Sequence, residues 1–501
     1  MLALALLGIA LALVAGSRGY PGYGTESDLL GGFIPEAERF RQGAPLVMDF
    51  QPPLYPFLLF LGRIVISDWF QVGLVLSWVT ALLTIWIGYL FFRELFSPAA
   101  GVGSAVALAT SGTFLAFAVQ ATSDVPFLFF YTATLWAAWR ISTGSRPFWW
   151  AAATGALIGL SLLFRVNGLP LTLLVLAPWV ASGTPGARWR WTGALLGGWA
   201  AVFLVWGSYA GVTGSPLYPT DNYANLAMTY YGEGDRLSVE DRLEMEERFS
   251  STLEVLTHDP VTVARRYAGD LLNTTRVLFT SDRLTAFPLG VLALPGVLLL
   301  VLLRPSPFQL LFLVLTVGHV LLLNLKTFEP RYYLFMIPLL GAGAGVLVHE
   351  GARILRRPHR WVAGAVLLGL LLTGFHASVR GSYRDLVRYD EELSEAIPAT
   401  RALIGADAIV VARKRHIPHH AGATRWFLPP VESVEELLEA MAAEGFRDPV
   451  YLYFGQTEWG LRPGLRDLRT PEKAPAELEL LIRGSKSPWT LYRYVGTQPF
   501  Q

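Results

Sequence analysis

Two acidic side chains near the start of the chain are the first candidates for chemistry. Glu26 and Asp28 follow the first apolar stretch, and the polar segment that they open ends in residues 51–56 (QPPLYP). A carboxylate between apolar segments is costly unless water or a partner stabilises its charge, so it indicates a reaction centre or an ion path. It can also act as a general base when an acceptor hydroxyl lies within hydrogen-bonding reach. The alternative is that both acids are ordinary solvated loop residues.

A third acid stands at the start of a later apolar segment. Asp124 follows Ser123 and precedes the run that begins at Val125. Aspartate is preferred as the N-cap of a helix, where it accepts backbone hydrogen bonds and favours the positive end of the helix dipole. An N-cap acid at this position would also face the outer cavity. A capping role and a functional role are therefore compatible.

Several cations interrupt apolar runs in the same way. Arg165 and Asn167 separate two apolar segments, and the sequence from Glu329 to Tyr333 (EPRYY) precedes another. Arginine at such depth usually pairs with an acid or binds an anion. Its planar guanidinium fits phosphate oxygens, and Lys326 could add a point charge. The alternative is a structural ion pair, for example between Arg331 and Glu329.

Composition indicates a membrane protein with several spans. Of the 501 residues, 53% are hydrophobic and only 16% are charged, and the apolar residues form long uninterrupted runs. A soluble chain would carry nearer a quarter of charged residues. The net charge of +1 gives no reason to expect a nucleic-acid partner. Because the chain has no cysteine, disulfides, thiolate metal sites and cysteine nucleophiles are excluded.

The apolar runs predict about eleven transmembrane helices. They are residues 1–17, 72–92, 98–119, 125–140, 147–164, 168–182, 191–212, 286–303, 307–325, 332–350 and 361–377. Short arginine-containing connectors alternate with less basic ones, and the positive-inside rule places the basic set in the cytoplasm. The loops 18–71 and 213–285 and everything after residue 378 then face outwards. The apolar stretch 54–66 is too short to span and is expected to lie in the membrane interface.

The chain thus divides into a membrane part, residues 1–378, and an outer part, residues 379–501. The outer part alternates strand and helix patterns, with strands expected at 407–412, 449–454 and 489–494. Ser433 begins a capping box that opens a helix running to about Glu444. The predicted fold class is therefore a polytopic α-helical membrane protein with a small extracytoplasmic α/β domain at its C-terminal end.

The remaining motifs do not indicate a functional site. His416, His419 and His420 have metal-like spacing, but no second ligand set accompanies them, so no metal site is assigned there. The sequence contains no Walker loop, no glycine-rich dinucleotide turn and no nucleophile elbow. A nucleotide-driven pump is therefore not expected.

The motifs taken in order resemble the GT-C class of membrane glycosyltransferases. They are most similar to the bacterial family (glycosyltransferase family 39-like) related to protein O-mannosyltransferases and to the aminoarabinose transferase of lipid A. The resemblance rests on Asp28 with Gly43, the 51–56 segment, Asp124 opening a span, the stretch 155–165 (GALIGLSLLFR), Arg331 with Tyr332, and the tail segment 412–416 (ARKRH). Family members often have Asp-Glu at the first acid, whereas Asp28 is followed by Leu29, and Gln51 stands where His or Lys is common.

The resemblance implies an inverting transferase that uses a sugar on a polyprenyl phosphate at the outer face of the cytoplasmic membrane. In this interpretation Asp28, with Glu26 nearby, is the base for the acceptor hydroxyl. Asp124 orients the acceptor, or helps hold Mg²⁺ or Mn²⁺ if a divalent cation is used. The donor phosphate is assigned to Arg331, Arg165, Lys326 and Tyr332. Substrate binding is assigned to Tyr55, Gln51, Asn167 and Glu329.

The partners expected are the lipid-linked donor, membrane lipid and an acceptor that is a glycan, a lipid or a protein. Two alternatives stay open. A transporter or flippase of lipid-linked sugars would use the same arginines but needs acids and bases near the bilayer midplane and paired broken helices. A glycan polymerase or ligase shares the lipid-phosphate leaving group and would differ in the size of its donor.

Overall fold

The computed structural model describes most of the chain. The described residues are 28–48, 51–181, 183–219, 223–232, 239–280, 289–303, 306–326, 328–354, 391–405, 407–413, 415–429, 433–456 and 462–495, with isolated positions between these ranges. Glu26 lies outside the described residues, as do the predicted spans 1–17 and 361–377 apart from isolated positions.

The chain divides into two compact units. The helical unit comprises residues 1–17, 33–220 and 261–387, and the mixed unit comprises residues 18–32, 221–260 and 388–501. The mixed unit therefore contains the segment with Asp28 as well as the C-terminal part of the chain.

The described part of the helical unit is built from helices. Its described α-helices are Ile34–Gln42, Leu54–Arg63, Trp69–Leu95, Pro98–Thr110, Gly112–Ala118, Asp124–Thr143, Pro147–Phe164, Ala177–Val180, Pro185–Thr213, Pro260–Thr280, Leu289–Leu303, Pro307–Leu323 and Met336–Ile354. Two 3₁₀ segments, Val166–Leu176 and Pro330–Tyr333, lie between them.

Three of the described helices are long and apolar enough to cross a membrane. They are Trp69–Leu95, Pro147–Phe164 and Pro185–Thr213. The pair Pro98–Thr110 and Gly112–Ala118, bent by 65°, is a fourth candidate. These elements occupy the predicted spans 72–92, 147–164, 191–212 and 98–119, and the full number of about eleven stays a prediction.

Two of the predicted spans are not continuous α-helices in the structure. The 98–119 segment bends at Ser111, whose backbone is extended (φ −71°, ψ 118°) and whose hydroxyl accepts from the Phe114 amide. The 168–182 segment is a 3₁₀ helix, Val166–Leu176, followed by one short α-helix, Ala177–Val180. Proline has no amide hydrogen and interrupts a regular helix, and Pro170 lies inside the 3₁₀ segment.

Glycines allow two of the long helices to touch through their backbones. A Cβ atom at Gly155 would lie 1.8 Å from the Leu195 carbonyl oxygen, and one at Gly198 would lie 2.0 Å from the Ala152 carbonyl oxygen. Small residues at such crossings let membrane helices approach closely, where packing and not a hydrophobic driving force holds them together. The contact fixes the helix Pro147–Phe164, which ends at Arg165.

The mixed unit contains a five-stranded sheet in the order β2-β1-β3-β5-β4. The strands are β1 Ile409–Ala412, β2 Thr424–Phe427, β3 Val450–Phe454, β4 Leu478–Arg483 and β5 Thr490–Tyr494. Strand β1 pairs in parallel with β2 and β3, and β5 pairs antiparallel with β3 and β4. The three predicted strands correspond to β1, β3 and β5, whereas β2 and β4 were not predicted.

Side-chain alternation gives this sheet two packed faces. Val411 and Leu452 lie in one buried cluster with Leu437 of the helix Val434–Ala443. Val410 lies in the other cluster with Ile397 of the helix Glu391–Leu403. The Ser433 hydroxyl accepts from the Glu436 amide, which confirms the predicted helix start.

The carboxylate of Glu395 fixes the β4–β5 turn to the helix Glu391–Leu403. It accepts hydrogen bonds from the Ser485 amide at 2.7 Å and from the Trp489 indole at 3.0 Å. Desolvation alone would raise the pKa of Glu395, but the hydrogen bonds from Ser485, Trp489 and Lys486 outweigh it and lower the pKa to about 2. The charged form is therefore the one that the fold stabilises.

Two adjacent glycines test the helix contact. We expect Gly198→Ala to destabilise the helical unit by about 1–3 kcal/mol, because its methyl group would overlap the Ala152 backbone. Gly197→Ala is the matched control, since a Cβ atom there meets nothing within 4 Å. Thermal unfolding of the purified protein in detergent measures both. Equal unfolding temperatures for the two variants would contradict the close contact.

Protonation of Glu395 should loosen the mixed unit. A carboxyl whose folded pKa lies below its unfolded value near 4.5 contributes stability above about pH 4.5, and this is lost as the pH falls towards 2. Glu395→Gln should therefore raise hydrogen exchange in residues 391–405 and 485–494 at pH 7 and flatten its dependence on acid. Glu444→Gln, at the end of another helix, serves as the control. Identical exchange in wild type and Glu395→Gln would refute this role.

Candidate active site

A buried ion pair forms the centre of the candidate site in the helical unit. Arg165 Nη1 lies 2.7 Å from Asp124 Oδ1 and donates to the Ser123 hydroxyl at 2.9 Å. The other carboxylate oxygen, Oδ2, accepts from the Thr122 hydroxyl at 2.7 Å. The Asp124 side chain is 3% exposed and that of Arg165 is 18% exposed. A pair so removed from water is retained only if hydrogen bonds compensate its desolvation, and these bonds supply that compensation.

The N-cap prediction for Asp124 is wrong in detail. The helix begins at Asp124 itself, and Ser123 is the N-cap residue without a side-chain capping bond. The Asp124 carboxylate instead bonds to Arg165 and Thr122, and the Thr122 hydroxyl accepts from the Asp124 amide at 3.0 Å. The ion pair took precedence over capping because a buried guanidinium needs a counter-charge more than a helix end needs a cap.

Arg165 owes its position to a break in the chain. The helix Pro147–Phe164 stops there, and Arg165 is extended (φ −154°, ψ 141°) before the 3₁₀ segment begins. Of the two interpretations for this arginine, the acid partner is realised, and the acid is Asp124. Asn167 lies half-buried in the first turn of the 3₁₀ segment, two residues further on.

The Tyr332 ring contacts the guanidinium groups of both Arg165 and Arg331. The Cζ atoms of Arg165 and Arg331 lie 5.4 and 5.2 Å from the centroid of the Tyr332 ring. Both distances are within the range of a cation–π interaction. Glu329 is the N-cap of the 3₁₀ helix Pro330–Tyr333 and is exposed, as is Lys326. The structure therefore joins Asp124, Arg165, Tyr332 and Arg331 in one continuous group.

Tyr55 forms an apolar wall beside this group. Its ring is fully buried and lies 5.9 Å from that of Phe164, the residue before Arg165. A Cβ atom at Gly73 would lie 3.1 Å from the Tyr55 hydroxyl and 2.6 Å from Ala121 Cβ, so only glycine fits there. The Ser77 hydroxyl, one turn further along that helix, donates to the Thr122 carbonyl at 3.2 Å.

Gln51 contributes a buried amide with spare hydrogen-bonding capacity. It is 7% exposed, and among the described residues neither its Oε1 nor its Nε2 has a hydrogen-bond partner. A buried side-chain amide is normally satisfied, so each exception needs an explanation. A bound polar group that supplies the missing bonds is one, and the assignment of Gln51 to substrate binding stays a prediction.

Asp28 belongs to the mixed unit. It is half-buried and directly precedes a π-helical turn, Leu29–Phe33. π-helical turns are rare in proteins, and those that occur often lie at functional sites.

The histidines of the mixed unit do not assemble a metal centre in the part of the chain that the structure describes. His416 is 5% exposed and lies in the short helix His416–Ala421 with the other two. No group of three metal-ligating side chains occurs among the described residues. Both oxygens of Asp124 are also engaged by protein donors. These observations do not support a preformed Mg²⁺ or Mn²⁺ site around Asp124.

A buried polar pair that the sequence did not predict lies two helical turns from Asp124. Tyr131 lies seven residues along the same helix, and its ring centroid is 5.2 Å from that of His319. The His319 ring stacks on Phe335 at 4.1 Å, and neither of its nitrogens has a hydrogen-bond partner among the described residues. An ionisable residue inside an apolar helix, here Pro307–Leu323, was the signal that could have identified it.

Comparisons with known proteins agree with the predicted class. A family model described as dolichyl-phosphate-mannose-protein mannosyltransferase matches residues 50–208. The structure of ArnT from Cupriavidus metallidurans bound to undecaprenyl phosphate has a TM-score of 0.56 at 13% identity, with 98% of each chain covered. AglB from Archaeoglobus fulgidus, an archaeal oligosaccharyltransferase in complex with an inhibitory peptide and a dolichol-phosphate, has a TM-score of 0.55 at 13% identity. That alignment covers 98% of this chain and 74% of AglB.

No curated protein matches the chain in sequence. The structural likeness shows that the chain has the same fold as ArnT. The match of residues 50–208 to the mannosyltransferase family model agrees with the resemblance seen in the sequence.

A double-mutant cycle tests the ion pair. Asp124→Asn and Arg165→Gln should each destabilise the protein, because each leaves a charge or a polar group buried without its partner. The double variant should lose less than the sum, with a coupling energy of about 0.5–3 kcal/mol. Thermal unfolding in detergent gives the four values. Additive losses would show that the two side chains do not interact.

Proposed function

We propose that the chain is a glycosyltransferase that moves a sugar from a polyprenyl-phosphate donor to an acceptor hydroxyl at the outer face of the cytoplasmic membrane. The observation that carries the proposal is Arg165, anchored on buried Asp124 and sharing the Tyr332 ring with Arg331. Two guanidinium groups beside apolar helices suit a ligand that has a phosphate and a lipid tail. The match to a mannosyltransferase family model supports such a donor-dependent transferase.

The phosphate end of the donor would be held by Arg331, Arg165, Lys326 and Tyr332. Negative charge develops on the departing lipid phosphate, and preorganised cations lower the energy of that transition state. Asp124 would act through Arg165 by fixing its guanidinium, since the carboxylate already bonds to it. Lipid phosphate is also the group bound by two of the similar structures, undecaprenyl phosphate in ArnT and dolichol-phosphate in AglB.

The acceptor end would use Asp28 as general base, with Glu26 nearby in sequence. Asp28 takes the proton of the acceptor hydroxyl, whose oxygen forms a bond to the anomeric carbon of the sugar. The bond from that carbon to the phosphate oxygen breaks, and its electron pair leaves with the lipid phosphate. Attack opposite the leaving group inverts the anomeric configuration. Gln51, Tyr55, Asn167 and Glu329 are proposed to bind the sugar or the acceptor.

No step of this proposal passes through a metal ion. Charge stabilisation is assigned to arginine and lysine, and the donor set around Asp124 does not fit a preformed cation site. The sequence alone left the use of Mg²⁺ or Mn²⁺ open.

We further propose the membrane arrangement that the arginine distribution predicts. Residues 1–378 would form the multi-pass membrane domain with about eleven spans and outer loops 18–71 and 213–285. Residues 379–501 would lie outside the cytoplasm. Apolar side chains at the end of the helix Leu54–Arg63, where Ile64 and Val65 are 72% and 87% exposed, support an interfacial position for that segment.

Replacement of the proposed base is the first test. Asp28→Asn should lower sugar transfer about 10²–10⁴-fold, the usual contribution of a general base. Membranes containing wild-type or variant protein would be given a panel of radiolabelled polyprenyl-phosphate sugars and several acceptors. Donor binding should persist in the variant, because the phosphate contacts are made by other residues.

Asp68→Asn is the matched control for this test. Asp68 is another acid of the predicted 18–71 loop, but it caps a helix by accepting from the Gln71 amide at 2.8 Å. Asparagine is an equally good N-cap, so this variant should transfer at the wild-type rate. Full activity of Asp28→Asn would contradict the base assignment. Movement of intact donor across the bilayer without transfer would favour the transporter, and transfer of a preassembled chain would favour a polymerase or ligase.

A further inference from the structure

We propose that Arg415 is a positioning residue that holds the turn after Asp28 through a hydrogen bond to the Leu30 carbonyl. The bond runs from Arg415 Nη1 to Leu30 O at 3.3 Å and joins parts of the mixed unit that are 385 residues apart in sequence. The inference rests on the proposed role of Asp28 as base. It assigns to the C-terminal part of the chain a direct share in the geometry of catalysis.

The sequence explains why the Leu30 carbonyl accepts from a distant side chain. In a π-helical turn the amide of residue i+5 donates to the carbonyl of residue i. For the Leu30 carbonyl that donor would be the amide of Pro35. Proline has no amide hydrogen, so the π-helix Leu29–Phe33 cannot continue past Phe33. Leu30 is only 2% exposed, and a buried carbonyl is expected to find a partner. The Arg415 guanidinium is one such partner.

Arg415 is itself held by a packed element. It is the N-cap of the helix His416–Ala421, and its carbonyl accepts from the His419 amide at 2.9 Å. Ile417, two residues later, is 2% exposed and lies in the same core cluster as Val410 of strand β1. The guanidinium therefore reaches Leu30 from a backbone that the sheet fixes.

The Arg415 bond is expected to affect the position of the Asp28 carboxylate and not the binding of the donor. Asp28 is two residues from Leu30 and immediately precedes the π-helical turn, so movement of that turn moves its carboxylate. Misplacing a catalytic group by about 1 Å can cost about 10²-fold in rate. Loss of the Arg415 bond should therefore lower kcat and leave the KM for the lipid-linked donor unchanged.

The experiment compares Arg415→Ala and Arg415→Lys with Arg447→Ala, an exposed arginine of the same unit. We expect Arg415→Ala to reduce kcat about 10–100-fold. Arg415→Lys should reduce it less, because lysine keeps the charge and a donor. Arg447→Ala should behave as wild type.

A spin label reports on the turn without reference to activity. The chain has no cysteine, and a Cβ atom at Gly31 meets nothing within 4 Å, so Gly31→Cys gives a single, tolerated attachment site. The label should become more mobile when Arg415→Ala is added and should not change with Arg447→Ala.

A second-site change gives an independent check. Pro35→Ala restores an amide hydrogen at the position from which a π-type bond to Leu30 would come, so it should partly recover both kcat and label immobility in Arg415→Ala. An unchanged label spectrum in Arg415→Ala, whether or not kcat falls, would overturn the proposal. If the wild-type protein transfers no sugar from any donor, the proposed function fails. The label spectra would then still decide whether Arg415 holds the turn.

Discussion

The buried pair of Asp124 and Arg165 is the interaction on which the rest of the helical unit depends. Two opposite charges inside an apolar helical body cost several kcal/mol each in lost hydration, and only close contact and full hydrogen bonding offset that cost. Thr122, Ser123 and the Tyr332 ring supply the additional contacts. Because removing either partner would leave an uncompensated charge, the surrounding helices are constrained to keep these groups together.

Interruptions of regular helix recur where the candidate residues lie. Asp28 precedes a π-helical turn, Arg165 separates an α-helix from a 3₁₀ segment, and Tyr332 lies in a 3₁₀ turn. Each interruption removes backbone hydrogen bonds and turns a side chain in a direction that a straight helix would not allow. Close glycine contacts, such as those of Gly155 and Gly198, hold the straight helices firmly enough to support these irregular ends. Local irregularity at a functional site on a consistent scaffold is the expected pattern.

Local signals predicted the elements well, and long-range pairings poorly. The helix Pro147–Phe164 coincides with its predicted span because an apolar run between Arg146 and Arg165 leaves little choice. Strand β4 was not predicted. Only its first residue is buried, so it lacks the alternation of apolar and polar residues that marks a half-buried strand. The irregular helix in the 168–182 segment was not predicted because hydropathy does not register the backbone effect of proline.

Long-range pairings were also the part of the candidate site that the sequence did not predict. Sequence identified Asp124 and Arg165 separately, and offered Glu329 as an example of an acid that could pair with Arg331. The 41-residue separation of the actual pair made its partner unpredictable from local pattern. The bond from Arg415 to Leu30 spans 385 residues and gave no signal beyond a proline at position 35. Tertiary contacts of this kind are decided by packing, which a single sequence does not specify.

The anomeric configuration of the product shows whether the sugar is transferred in a single displacement. A single displacement with Asp28 as base must invert the configuration at the sugar carbon, whereas a covalent sugar–enzyme intermediate would retain it. NMR of the isolated product, made from a donor of known configuration, distinguishes the two through the one-bond coupling between the anomeric carbon and its proton. We expect inversion. Retention would contradict it.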